Sequence, residues 1–269
     1  MPTFEDQTDS QLLEAFAKTR NEAAFSELVR RHGPLVWCTC RRVLGHSADA
    51  EDASQAAFLA LAQQAPSWRG SRLAAPWLHR VAHNISLNAL ESRKVRERKE
   101  RAAAAMAWHA DHPTGLSDEQ GALLHEEINA LPEKLRQALI LCHLQGKSME
   151  QAATVMGCPA STIGTWVARG RERLKDRLAR RGLVLSLAAL TSLLSTEAGA
   201  VEFPATFVTS TTTAAAKFVA TNSGAGAGLL PARLSGQRSV ERYVLCQNAD
   251  GSGNGGAVSV CRGWDRVGG

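Results

Sequence analysis

Arg169, Arg171, Arg173, Lys175 and Arg177 follow a sharp turn in the segment SMEQAATVMGCPASTIGTWVARGRERLKDR, residues 148–177. Guanidinium and ammonium groups at this density can neutralise phosphates, and a helix that follows a tight turn fits the major groove of DNA. The segment predicts helix, turn, helix. Ser148 and Gln151 form an S-x-x-Q capping box. Ala152, Ala153, Val155 and Met156 supply an apolar stripe. Gly157 can take the left-handed conformation that ends a helix, and Pro159 cannot continue one. Ser161 or Thr162 can cap the next helix, in which Ile163, Val167 and Leu174 recur at helical spacing and face inward. An ordinary helical hairpin with a solvated basic face has the same pattern.

A second basic block, ESRKVRERKER (91–101), carries six basic and three acidic residues. Together the blocks hold most of the excess behind a formal net charge of +5, from 31 Lys and Arg against 26 Asp and Glu. That excess suits a polyanionic partner. The six cysteines, at 38, 40, 142, 158, 246 and 261, form no CxxC pair and read as free thiols in a reducing compartment. His79 and His83 stand at i, i+4 on a helical segment, without a third ligand nearby, so no metal and no cofactor is expected. No nucleophile–base arrangement or phosphate loop marks an enzyme, and no small-molecule substrate is expected. The N-terminal MPTFEDQTDSQLLEAF is acidic and polar, unlike a signal peptide or anchor.

The elements that position these groups are helical. Ala, Leu, Arg, Glu and Gln dominate before residue 200, and β-branched runs are scarce there. Asp9 or Ser10 can cap a first helix through Leu12, Leu13 and Phe16. A second pattern runs over 22–44, with Pro34 predicting a break or kink near Gly33. Ser47 and Asp49 open a third helix whose alanines allow close packing, and Pro66 to Ala75 reads as a loop. Pro76 sits in the first turn of a fourth helix, which carries Trp77, Leu78, Val81 and Ile85 and runs on into the basic block at 91–101. Helices resume over 119–130, stop at Pro132 and continue over 136–144. The expected architecture is all-α, with an N-terminal tail (1–8), a first domain (9–100), a flexible linker (101–118) and a second domain (119–182). An extension (183–269) follows, with a short apolar helix and then a low-complexity, largely disordered tail.

Three segments in this order resemble the extracytoplasmic-function sigma factors, the small two-domain members of the bacterial sigma-70 class. ADAEDASQAAFLAL (48–61) is similar to the family's DAEDxxQ-xxFL signature. APWLHRVAHNISLNALESRKVRER (75–98) is similar to its WLxRIAxNxxxDxxR segment. The stretch from Ile128 to Leu174 resembles the second conserved domain almost throughout. The resemblance covers about residues 9–182. It implies a cytoplasmic bacterial protein that binds core RNA polymerase, through its clamp coiled coil and flap, and promoter DNA. It implies that Asp49, Glu51, Asp52 and Gln55, around the apolar Phe58 and Leu59, dock on the clamp. It assigns Arg80, His83, Asn84 and Asn88 to the −10 element, with Arg93, Lys94, Arg96 and Arg98 tracking phosphates and Trp68 or Trp77 available for stacking. Of the two readings of Trp77, a core residue is the one favoured. Groove contacts to the −35 element fall to Ser161, Thr162, Thr165, Trp166 and Arg169, and phosphate contacts to Arg171 and Arg173. Asn88 stands where the family usually has an acidic residue. Gly164 and Trp166 stand where a basic pair is common.

A stand-alone helix-turn-helix regulator would account for 119–182 but leave 48–100 without a role. The apolar run LVLSLAALTSLL (183–194) is too short to span a bilayer and is read as a helix packing on the second domain. Residues 203–230 read as a flexible linker with one helix near 212–220. Either an anti-sigma regulator or this extension, acting in cis, is the expected controlling partner.

Overall fold

The computed structural model describes residues 4–45, 47–68, 73–103, 118–199 and 205–222, and they are helical throughout, with no strand among them. The linker centre (104–117), part of the loop before Pro76 (69–72) and the tail from 223 lie outside the described residues.

Helices α1 (Asp9–Thr19), α2 (Glu22–Leu44), α3 (Ser47–Gln64) and α4 (Ala74–Ala103) build the first unit. Thr8, not Asp9 or Ser10, caps α1 in a capping box with Gln11. Asp9 serves the tertiary fold instead. Its carboxylate accepts from Arg31 at 2.8 Å and pairs with His32 Nε2 at 2.9 Å. Burial disfavours its charge, yet His32 and then Arg31 outweigh that and hold the carboxyl well below the ordinary range. The core gathers Leu12, Leu13, Phe16, Phe25, Leu28, Phe58, Leu78 and Ile85, with the Phe16 and Phe25 rings 4.5 Å apart.

Of the break or kink expected near Gly33, the break does not occur, because α2 runs through Pro34 as one helix. Pro34 lies on the exposed side, where water can take the carbonyl that loses its donor, and buried residues on both sides (Leu28, Val29, Leu35, Val36, Trp37) clamp the two halves.

The second unit comprises α5 (Asp118–Asn129), α6 (Glu133–Leu139), α7 (Met149–Met156) and α8 (Ala160–Arg180). One π-turn, Ile140–Leu144, prolongs α6. Buried Arg136 donates from Nη1 to the carbonyls of Asn129 (3.2 Å) and Leu131 (3.4 Å), so a guanidinium satisfies the end of α5. The capping box opens α7 as the sequence predicts: Ser148 N–H donates to Gln151 Oε1 (2.9 Å) and Gln151 N–H to Ser148 Oγ (3.2 Å). Gly157 closes α7 with φ 63°, a left-handed cap that any side chain would strain. Neither Ser161 nor Thr162 caps α8, because the N-cap position falls on Pro159, whose ring offers no acceptor.

The two units are in contact. Leu35 of α2 belongs to the second core, and Gln145 Nε2 lies 2.8 Å from His32 Nδ1. Helix α9 (Leu187–Gly199) packs on the π-turn, on α8 and also on α2, with Leu190 and Leu194 fully buried. The single helix read near 212–220 is longer, forming α10 (Ala205–Asn222), which packs along α2 and α3. Its buried positions, Phe207, Thr211, Ala215, Phe218 and Val219, follow a helical period that its many threonines obscure. No described helix is long and apolar enough to cross a membrane.

Removing the Ser148 cap, as Ser148→Ala, should lower stability by about 1 kcal/mol. A urea denaturation midpoint for the variant equal to that of the parent would contradict that role.

Candidate nucleic-acid interface

Helix α8 is two-sided. Ile163, Val167, Gly170, Leu174 and Leu178 are buried. Gly170 is small for a reason, since a Cβ there would stand 2.9 Å from Leu139 Cδ1 of α6. Opposite this stripe Ser161, Thr165 and Arg169 are exposed, with Thr162 half-buried beside them. They occupy the first turns of α8, just past the turn at Gly157 to Pro159. Thr165 Oγ1 donates to the carbonyl of Ser161 at 3.0 Å, which leaves its oxygen free to accept. Short hydroxyl side chains and one guanidinium at a helix start are suited to base edges and phosphates.

Trp166 lies to one side of this strip. It is partly buried on the second core, with the Lys134 ammonium 5.4 Å from its ring centre. Its packing on that core leaves only part of the ring open. Arg173 is exposed, while Arg171 donates to Thr191 Oγ1 of α9 at 3.4 Å. Arg177 pairs with buried Glu127, and Arg181 bridges Glu126 (2.8 Å) and Glu127 (3.2 Å). The C-terminal part of the basic run therefore fastens α8 to α5.

On α4, Arg80, Asn84 and Asn88 recur every four residues along one open strip; Arg80 and Asn88 are exposed and Asn84 is half-buried. His83 does not share it, being 3% exposed and turned under the second unit. Arg93 donates to Asp49 Oδ2 at 3.2 Å and so ties α4 to the start of α3. Helix α4 carries Lys94, Arg96 and Arg98 out to Ala103, but their side chains lie outside the described residues. Trp68 and Trp77 meet edge to face at 5.5 Å and rest on the first core, the packing reading of Trp77.

On α3, Glu51 and Asp52 are exposed, and Asp49 and Gln55 are half-buried. Phe58 and Leu59 are not open to a partner, at 0% and 3% exposure. The Phe207 ring of α10 meets Phe58 at 6.2 Å and Trp37 at 5.9 Å, edge on in both cases.

The histidine pair on α4 gains a third member that sequence spacing hides. His125 of α5 lies with Nδ1 2.9 Å from His79 Nε2, and His79 Nδ1 is 3.0 Å from Asn129 Oδ1. This is a hydrogen-bonded chain, and no group of three or more His, Cys, Asp or Glu among the described residues is arranged to hold a metal ion. Burial and then the neighbouring imidazoles push His79 far below its ordinary pKa. The same causes, burial first and then His125, bring His83 down to about 4.

Against known families, residues 28–96 match the sigma-70 region 2 family and residues 122–174 match sigma-70 region 4. The RNA polymerase sigma-H factor of Pseudomonas aeruginosa is 32% identical over 181 residues, covering 63% of this chain and 93% of that protein. The ECF RNA polymerase sigma-E factor of Escherichia coli K12 is 30% identical, covering 65% of this chain and 96% of its own length. Among solved structures, CnrH in complex with the cytosolic domain of CnrY is 22% identical with a TM-score of 0.33, covering 64% of this chain and 99% of that one. The chain belongs to the extracytoplasmic-function sigma factors of the sigma-70 family. It is thus an RNA polymerase sigma factor of transcription initiation.

The buried histidines make a prediction. In the unfolded chain an imidazole takes its proton near pH 6.5, whereas folded His83 resists until about 4. Between these values the unfolded state binds more protons, so stability falls as pH falls, by roughly 2 kcal/mol at pH 5 from His83 alone. Urea denaturation at pH 7 and pH 5 measures the loss. His83→Gln should flatten that dependence, and an unchanged slope in the variant would contradict the assignment.

Proposed function

We propose that this sigma factor binds core polymerase through the acidic start of α3, reads the −10 element along the α4 strip and reads the −35 element with the first turns of α8. The observation that carries the reading is the exposed strip Ser161, Thr165 and Arg169 at the head of a helix-turn-helix whose back is buried. Arg80, Asn84 and Asn88 supply polar contacts along the −10 strip, and Lys94, Arg96 and Arg98 continue it with positive charge. Binding energy does the work. Phosphate neutralisation gives affinity, base-edge contacts give register, and capture of an unstacked base offsets the cost of opening the duplex. Glu51, Asp52, Asp49 and Gln55 offer the polymerase a charged rim. Phe58 and Leu59, sealed in this closed form, join that surface only when α10 moves.

The side of α8 that carries the reading is narrower than the basic run. Ser161, Thr162, Thr165 and Arg169 are the groove residues, Arg173 a phosphate contact, and Trp166 a support for the helix. The −10 and −35 elements lie apart along the duplex, so units that touch one another in the free chain have to separate to engage both.

In runoff transcription with core polymerase and a cognate promoter, Thr165→Ala with Arg169→Ala should reduce initiation by about tenfold or more, the size of one to two lost base or phosphate contacts. Co-purification with core polymerase should be unchanged. Normal initiation by the double variant would refute the −35 assignment.

A further inference from the structure

Helix α3 is buried on every side over Ala56 to Ala62. Helices α2 and α4 cover part of that circumference and α10 covers another. Phe207 fills a notch between Trp37 of α2 and Phe58 of α3, at 5.9 and 6.2 Å, and is 1% exposed. Ala215, Phe218 and Val219 continue the contact along the same face of α10. The α2–α3 groove is thus a seat for a helix with large apolar groups at about three- and four-residue intervals. The helix that occupies it lies beyond both segments matched to the sigma-70 regions.

The preceding helix acts on the other surfaces. Leu190 and Leu194 of α9 sink into the second core while α9 also touches α2, so it joins the two units. Thr191 takes a hydrogen bond from Arg171, one of the cations on the basic helix. Helices α9 and α10 together therefore cover Phe58 on the α3 docking surface, engage Arg171 of the basic helix and bridge units that must part.

We propose that α9 and α10 form an inhibitor in cis, with α10 seated in the Trp37–Phe58 groove as a stand-in for a helical element of the polymerase. This rests on the reading of α3 as the polymerase-docking helix. In the closed chain Phe207 competes for the apolar anchor and α9 keeps the units together. Displacement of the pair frees both at once. The energetic requirement is modest, because α10 has to favour the closed state only by the free energy that a partner can supply in displacing it.

The test uses the full chain carrying Phe207→Asp and Phe218→Asp, which alter α10 and leave α2, α3 and α8 untouched. Hydrogen exchange on α3 reports release of α10, and circular dichroism reports that the rest stays folded. Release should raise affinity for core polymerase and promoter-dependent initiation by about tenfold, within the range of ordinary coupling between sites. A synthetic peptide of residues 203–222 added in excess should reverse the gain. Faster exchange on α3 with affinity and initiation unchanged or lower would overturn the proposal and leave α10 a plain part of the core. Should the double variant unfold, the milder Phe207→Ala must move both readouts in the same direction, and if it releases α10 without doing so the proposal fails. If neither parent nor variant binds core polymerase, the α3 docking reading itself falls, which the peptide separates by still binding the released chain.

Discussion

Burial of α2 on nearly every side is the constraint from which the rest of the molecule follows. One flank packs with α1, α3 and α4, Leu35 reaches the second core, and α9 and α10 both lie against it. A helix surrounded in this way fixes its neighbours relative to one another, and it carries no exposed apolar stripe for a partner. Its polar side chains are spent inside the protein: His32 contacts Asp9 on one ring nitrogen and Gln145 on the other, and Arg31 holds Asp9 and Glu27. Partners are left the outer strips of α3, α4 and α8.

Those strips differ in kind, and the differences underlie the tasks proposed for them. The start of α3 is acidic, which suits a protein surface and would repel DNA. The α4 strip is amide-rich with one arginine and leads into a dense basic segment. The head of α8 combines hydroxyls with Arg169, while the arginines further along are drawn into ion pairs with Glu126 and Glu127. Charge on a basic helix is therefore a poor guide to which residues meet a phosphate. Pairing across the fold removes some of them before any ligand arrives.

The helix-turn-helix was legible because its signals are local. The Ser148–Gln151 box, the left-handed Gly157 and the period of Ile163, Val167 and Leu174 all act within a few residues, and each appears where the spacing puts it. The residues whose placement departs from the sequence expectation are those decided at a distance. His83 sits at the right helical interval for the α4 strip, but its face turns under α5, and nothing in residues 75–98 records where α5 lies. Trp166 is partly buried on the second core, beside Lys134 of α6. Pro34 speaks for a break, and tertiary packing on both sides of it overrides that local preference. Helix α10 was legible only over 212–220: threonine disfavours helix, and the apolar period Phe207, Ala215, Phe218 is sparse enough to hide its full length and its packing until α2 and α3 supply the partner surface.

Two helical units touch in the free protein and, in the proposed function, separate to hold the polymerase and two stretches of promoter. Fluorophores at Glu22 on α2 and Asp176 on α8, both exposed positions outside the proposed contact strips, would report the distance between the units directly. Energy transfer should be high in the free full-length chain and fall sharply when core polymerase and promoter DNA are added together. Transfer that stays unchanged in a complex competent for initiation would contradict the account.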